Sequence, residues 1–515
     1  MGSFRDSTIL IIETGRTVVR AGLGIHELLK TPTIEIPARV GLRQTAGEPS
    51  SSATSNGKQH AKPGEGSDYW RPPASSSRVS SLPFHASTTA KINDYLVGSQ
   101  LDEALEAGQD ILVSWPFADG DIRDWTQAEV IWKHIIFNNL QIKRTQNESP
   151  VMLSIAPGLS RDSSERICQI FFERFNVAGF AIVERPMAQT YATGQLSGVV
   201  VDIGYERTDV SPVYDGFMIH SARSGTSLGI RDCEIYLANL LRSNQSVMTA
   251  ASPPPDLPSD PEAVRKFLID FVKYVWSEGH IRIPSDGQIA EVLEDEGVTD
   301  IAAVLVAGKE KAVIEAGTKK KATAKASAAE QARAKEIEAL DLITVQFRDH
   351  SITLGKERHR FCEPLFDPTL LKTLPQNDIN ESEEDLLSLQ DAVGFSVGQT
   401  EVDQRQYILQ GLFVTGDLAN RVKGIGTALQ SRLSPFILGN PDQHNEVQPR
   451  SIRVVSVPEY FAEYREKGDG LAAFLGTTIV AKISFNDAQG KNFISKSDYD
   501  EKGPRAIIEM SPTLL

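Results

Sequence analysis

The chain has 515 residues, 40% of them hydrophobic, enough to bury a large core and to divide into two or more lobes. Its formal net charge of −15 excludes the overall basic field of an autonomous nucleic-acid binder, while local basic patches stay compatible with it. No stretch reaches the roughly 18 apolar residues of a membrane span, and Cys168, Cys233 and Cys362 lack metal-ligand spacing, so a soluble intracellular protein with structural thiols is expected.

The start MGSFRDSTIL lacks a signal-peptide profile and carries Asp6 where a myristoylation signal wants Ser or Thr. In ILIIETGRTVVRAG, Ile9 to Ile12 is a run of branched aliphatics bounded by a turn signal, the pattern of a buried central strand. Glu13 follows it directly. A carboxylate at such a strand end, followed by small residues, suits a phosphate and metal site, because backbone N–H groups can then reach phosphate oxygens. Gly15 fits that pattern and Arg16 does not. The block from Thr8 to about Arg43 reads strand, turn, strand and the short stretch TPTIE. From Gln44 to about Ser81, Ser, Gly and Pro dominate, and a disordered surface insertion is expected.

Order is expected again from KINDYLVG onward. A strand and a helix lie in the segment ending DWTQAEVIWKHIIFNNL, PVMLSIAP is a strand, and SRDSSERICQIFFERFN is a helix with Ser163 and Glu165 near its start. Strand GFAIVE and helix PMAQTYATG complete an α/β run. GVVVDIGYERTDVSPVYDG then repeats the opening theme: an apolar strand ends in an acid, Asp202, Gly204 follows, and a second strand comes after. Two such units imply a duplicated α/β architecture with a cleft between its halves, 1–194 and 195–515.

In the second half AVRKFLIDFVKYVWSEG is a helix by its apolar spacing. Ala, Lys and Glu fill about 302–340, which reads as a long, solvated helix with a break near Gly317; a basic contact to DNA or to an acidic partner is the alternative. LITVQF and SITL are strands separated by RDH, and an acidic loop covers about 376–392. YILQGLFVTGDL reads as strand plus glycine turn, RSIRVVSVPE as a strand, and GLAAFLGTTIVAKI as a turn opening a helix.

With the order of these segments in hand, the chain resembles the actin family over nearly its whole length apart from the insertions. IRDWTQAEVIWKHIIFNNL, VMLSIAPGLS, SITLGKERHRFCEPLFDP, EVDQR and FISKSDYDEKGP each match a family segment, and they follow in the family's order. The resemblance implies an actin-like duplicated two-domain α/β fold, of the superfamily shared with sugar kinases and heat-shock chaperone ATPases, around a nucleotide cleft. It places Glu13 and Asp202 on the acids of two phosphate loops, and both remain acidic. Arg16 replaces a serine that faces the γ-phosphate, Thr17 replaces a glycine, and Arg20 stands for the phosphate-binding lysine. The second loop's Ser-Gly-Asp-Gly becomes Ile203, Gly204, Tyr205 and Glu206. Arg185 takes the place of the water-orienting glutamine, and Thr415, Gly416 and Asp417 replace Gly-Gly and a threonine.

These departures imply a degenerate nucleotide cleft, with no catalytic residue, no metal and no resident cofactor; weak ATP binding through Arg16 and Arg185 is the alternative. The resemblance also implies a groove for a partner helix, walled by Tyr191, Gly194, Leu196, Gly216 and Phe217 from one side and Val480, Ile483 and Phe485 from the other. The polar 44–81 segment replaces the loop used in filament contacts, so self-polymerisation is not expected. Family members with eroded nucleotide sites and large polar insertions are mostly nuclear subunits of chromatin remodellers. The expectation by resemblance is therefore a nuclear architectural subunit, which binds a helix of a remodelling ATPase beside a second actin-related protein and meets nucleosomes only through the complex. The alternative is a cytoskeletal, ATP-binding relative.

Overall fold

The computed structural model describes residues 4–25, 30–43, 90–118, 120–251, 261–283, 341–374, 386–437, 449, 451–487 and 491–511. The insertions read at 44–81 and 302–340, and residues 376–385 of the acidic loop, lie outside the described residues.

The first half contains β1 (Leu10–Thr14), β2 (Val18–Leu23), β3 (Ile34–Pro37), β4 (Val40–Arg43), β5 (Tyr95–Leu96), β6 (Ile111–Ser114), β7 (Pro150–Ile155) and β8 (Gly179–Glu184). β1 forms an antiparallel hairpin with β2 and, on its other side, runs parallel to β7, which runs parallel to β8. Every residue of β1, β7 and β8 is buried, as strands covered on both faces require. β4, β5 and β6 make a small separate sheet.

The second half contains β9 (Gly198–Ile203), β10 (Thr208–Tyr214), β11 (Phe217–Met218), β12 (Ser224–Thr226), β13 (Ile343–Phe347), β14 (His350–Leu354), β15 (Leu412–Thr415) and β16 (Val454–Val455). β9 pairs antiparallel with β10 and parallel with β15. The repeat inferred from Glu13 and Asp202 is thus present in the hydrogen bonding, as a hairpin flanked by a parallel strand in each half. The halves are not consecutive throughout. β17 (Ile494–Ser495) returns to pair with β8, so the first lobe draws chain from both sides of the 194/195 division.

The helix read over SRDSSERICQIFFERFN stands as read: the Ser160 hydroxyl accepts from the Ser163 N–H, the α-helix runs Arg161–Gln169, and a π-helical turn continues it over Ile170–Arg174. Several other local expectations are corrected. The acidic loop stops before 392, because Ser388 caps a helix at Leu389–Gly398 through the Asp391 N–H. Tyr407, Ile408 and Leu409 close the helix Val402–Leu409 and the strand starts only at Leu412; of RSIRVVSVPE only Val454–Val455 is strand.

One apolar cluster fills each lobe, and a third lies between the sheets. The third joins Ile9, just before β1, and Ile11 of β1 to Val200 of β9 and Phe413 of β15, through the helices Arg185–Ala192 and Ala472–Phe485. Those helices cross at backbone contact: a Cβ on Gly476 would stand 1.7 Å from the Ala188 carbonyl oxygen. Glycine there costs about 1 kcal/mol of helix propensity against alanine and permits the close crossing that joins the lobes. Among the described residues no helix is long and apolar enough to cross a membrane.

Candidate functional site

The two hairpin turns face one cleft of about 300 Å³, at the carboxyl ends of β1 and β9, where open α/β sheets bind ligands. In one turn the Gly15 N–H donates to the Val18 carbonyl at 2.9 Å, and in the other the Gly204 N–H donates to the Arg207 carbonyl at 3.0 Å. A Cβ on Gly15 would stand 2.7 Å from its facing carbonyl oxygen, and one on Gly204 2.8 Å, so both turns require glycine. Strand register sets Glu13 opposite Arg20 and Asp202 opposite Asp209.

Arg185, the first residue of its helix, stands between the two acids. Its Nη1 lies 3.2 Å from Glu13 Oε1, and its Nε donates to Asp202 Oδ2 at 3.0 Å. Gln189, one turn further on, donates to the same Asp202 oxygen at 2.8 Å. Arg20 reaches Glu13 at 3.5 Å, Glu35 at 3.3 Å and Asp417 at 3.3 Å. Arg16 crosses the cleft: Nη2 donates to Asp209 Oδ2 at 2.7 Å and Nη1 to the Ala118 carbonyl at 3.2 Å. Arg207 holds the other Asp209 oxygen at 3.1 Å.

The electrostatics follow from burial and pairing. Burial opposes the charge on Arg185, but Asp202 and Glu13 outweigh it and hold its pKa above the ordinary arginine value. Arg20 is buried too, and Glu13, Asp417 and Glu35 raise it. Arg16 is lowered, by burial first and by Arg207 and Arg185, against the pull of Asp209.

This arrangement does not fit the divalent ion and triphosphate that the fold family implies. Four guanidinium groups, of Arg16, Arg20, Arg185 and Arg207, already meet five carboxylates, of Glu13, Glu35, Asp202, Asp209 and Asp417. A divalent ion between Glu13 and Asp202 would take the place of a cation that both acids already hold, and a triphosphate would have to displace carboxylates from their arginines. The Tyr205 hydroxyl in the second loop donates to Glu234 Oε2 at 3.0 Å. Gly416, with φ +102°, packs so tightly that a Cβ would lie 2.2 Å from the Ile203 carbonyl oxygen. Arg185 carries donors only and cannot take a proton from water.

The groove residues lie at the opposite end of β9 and β10. The Gly216 N–H donates to the Leu196 carbonyl at 2.7 Å, and the Gly216 α-carbon backs onto Tyr191, whose hydroxyl would be 2.9 Å from a Cβ there. Leu196 is 54% exposed, Phe217 60% and Ile483 59%, large apolar surfaces to leave in water. Val480 and Phe485 are a correction, because both are buried in the interlobe cluster. Phe485 packs against Phe4 and Phe493 at centroid distances of 5.8 and 5.3 Å. A helix turns about 100° per residue, so Ile483 lies roughly 200° around from Phe485 and faces out.

Sequence reasoning missed Arg207 and Glu35 in the ion pairs of the cleft, and three further residues as well. Asp209 completes the Arg16 contact, and its place opposite Asp202 in a short hairpin was the available signal. Gln189, one helical turn after Arg185, shares Asp202 with it. Tyr460, 72% exposed, brings its hydroxyl to about the Gly194 surface, 4.0 Å from a Cβ built there; it sits in a loop without periodicity, and nothing in the sequence marks it.

The comparisons with known proteins agree with this fold. The family model described as Actin matches residues 5–511. The chain is similar to the "SWI/SNF and RSC complexes subunit arp9" of Schizosaccharomyces pombe, with 27% identity over 98% of this chain and 99% of that protein. It is also similar to "Actin-related protein 2" of Saccharomyces cerevisiae, with 29% identity over 30% of this chain and 39% of that protein. With the duplicated hairpins, the shared cleft and a match across almost every residue, the chain belongs to the actin family.

Proposed function

We propose that this chain is a non-catalytic, architectural subunit of a nuclear chromatin-remodelling complex of the SWI/SNF or RSC type. In this reading it binds a helix of the remodelling ATPase through the apolar groove, beside a second actin-related protein, and does not polymerise with itself. The observation that carries it is the end-to-end similarity to the fission yeast SWI/SNF and RSC subunit, which spans 98% of this chain. The cleft supports it from the side of chemistry, since Arg185 stands where the family places the group that orients the attacking water and supplies no proton acceptor there. Leu196, Phe217 and Ile483 support it from the side of binding, as exposed apolar anchors of the kind a helix-in-groove site uses.

The test is affinity purification of the tagged chain from nuclear extract in high salt, with mass spectrometry of the retained proteins. Recovery of a remodelling ATPase and another actin-related protein is the expected result. Recovery of motor adaptors or filament proteins would move the chain to the cytoskeletal reading, which further requires stoichiometric ATP to be retained on the purified protein.

A further inference from the structure

We infer that this chain carries its own substitute for the metal and nucleotide that join the lobes in its fold: Arg185 serves as a resident cation between Glu13 and Asp202, and Arg16 serves as a strap across the cleft to Asp209. The lobe arrangement is then set by ion pairs within the chain and does not respond to nucleotide. This holds whichever assembly the chain joins.

Three observations converge on it. The pairs connect opposite halves. Arg16 in the β1–β2 turn meets Asp209 on β10, Arg20 on β2 meets Asp417 after β15, and Arg185 links Glu13 on β1 to Asp202 on β9. The backbone is also shaped to hold the guanidinium groups. A Cβ on Gly120, where φ is +84°, would stand 2.6 Å from Arg16 Nη2, and one on Gly15 would stand 2.8 Å from Arg185 Nη1. Both arginines thus sit in space opened by a missing side chain. Finally, Arg16 has a second anchor on its own side, and Asp202 has a second donor beside Arg185. The Ala118 carbonyl accepts from Arg16 in the first lobe, and Gln189 shares the Asp202 carboxylate with Arg185. A surface ion pair would have neither the room cut for it nor the second anchor.

The strap and the resident cation are tested on the full-length protein in two ways. Thermal unfolding of the wild type is followed with and without 1 mM magnesium ATP. The expected melting temperature is the same within about 1 °C, since a ligand at 100 times its Kd would add roughly 2.7 kcal/mol and move it by several degrees. A rise of several degrees would overturn the inference outright. Then Arg16→Met, Asp209→Asn and the double variant are compared by hydrogen exchange at the amides of 13–18 and 202–209. Each single variant is expected to raise exchange there severalfold, and the double variant to go no further than the worse single one. Additive effects, or exchange unchanged in all three, would show that Arg16 and Asp209 do not act as one connection. Should the double variant fail to fold, the charge-exchanged pair Arg16→Asp with Asp209→Arg replaces it, with protection closer to wild type than in Arg16→Asp alone as the expected outcome and no recovery as the refuting one.

Discussion

The two ends of the β9–β10 hairpin treat water in opposite ways. At the turn end, Asp202 and Asp209 are matched with Arg185, Gln189, Arg16 and Arg207, and the cleft is lined by charges that the chain itself pairs. At the other end, Leu196 and Phe217 stand in solvent with no side chain of this protein to cover them among the described residues. The first end holds charges already paired within the chain and the second leaves apolar faces in water, so the free energy available to a partner at the second lies in burying hydrocarbon.

The helix Ala472–Phe485 offers the strongest way to break that contrast, because a core residue and an exposed one lie two positions apart on it. Phe485→Ala is expected to destabilise the protein by about 3–5 kcal/mol, as for other fully buried aromatics, read as a fall in the chemical denaturation midpoint. Ile483→Asp and Phe217→Asp should change the unfolding free energy by no more than about 0.5 kcal/mol, since both sites are exposed. Instead they should weaken binding of the proposed partner helix by about 3 kcal/mol or more, a hundredfold or greater loss, through an unpaired charge buried at the interface. Wild-type affinity in either aspartate variant, measured by peptide titration, would place the docking surface elsewhere.

The charged end should respond more gently. Arg16→Met leaves Asp209 with Arg207 alone, and because both side chains of the pair are partly solvated the expected cost is about 1–2 kcal/mol, well below that of a fully buried pair. Added salt should narrow the gap between wild type and variant, whereas it should leave the loss from Phe485→Ala unchanged.

The smallest effect is a pH dependence. Asp232 lines the cleft and caps its helix through the Gly229 N–H, and burial pushes its carboxyl up to about 6 against that stabilising bond. A free aspartate titrates near 3.9, so between about pH 4 and 6 the folded chain keeps a proton that the unfolded chain has released. The stability from this group is therefore complete below that window and is lost as pH rises through 6. Asp232→Asn should flatten the unfolding free energy across pH 4–6 by on the order of 1 kcal/mol, measured by denaturant titration at several pH values. A slope unchanged by the substitution would remove Asp232 from the account.

Much of this was legible before any coordinates. The apolar runs ending in Glu13 and Asp202 announced two central strands and a repeated hairpin, because a strand buried on both faces must be nearly all hydrocarbon, and the first polar residue of each here lies one residue before its end. The same reading placed Gly15 and Gly204 in tight turns and named Arg16 and Arg185 as foreign to a phosphate site. It failed at Val480 and Phe485, where an apolar residue on a helix can face either a core or a groove, and composition does not say which.

What the sequence by itself determined is the set of local rules: which segments can be central strands, where only glycine fits, and which positions no longer carry a proton acceptor or a small residue. The tertiary structure alone decided where the guanidinium groups go and which apolar faces remain in water. An arginine's partner depends on acids far away in the chain: Asp209 lies 193 residues from Arg16 and comes within 2.7 Å only when the two hairpins face each other. Ile483 is exposed for the same reason, since the turn of one helix against its neighbour, set by the backbone contact at Gly476, fixes which side of it the core covers.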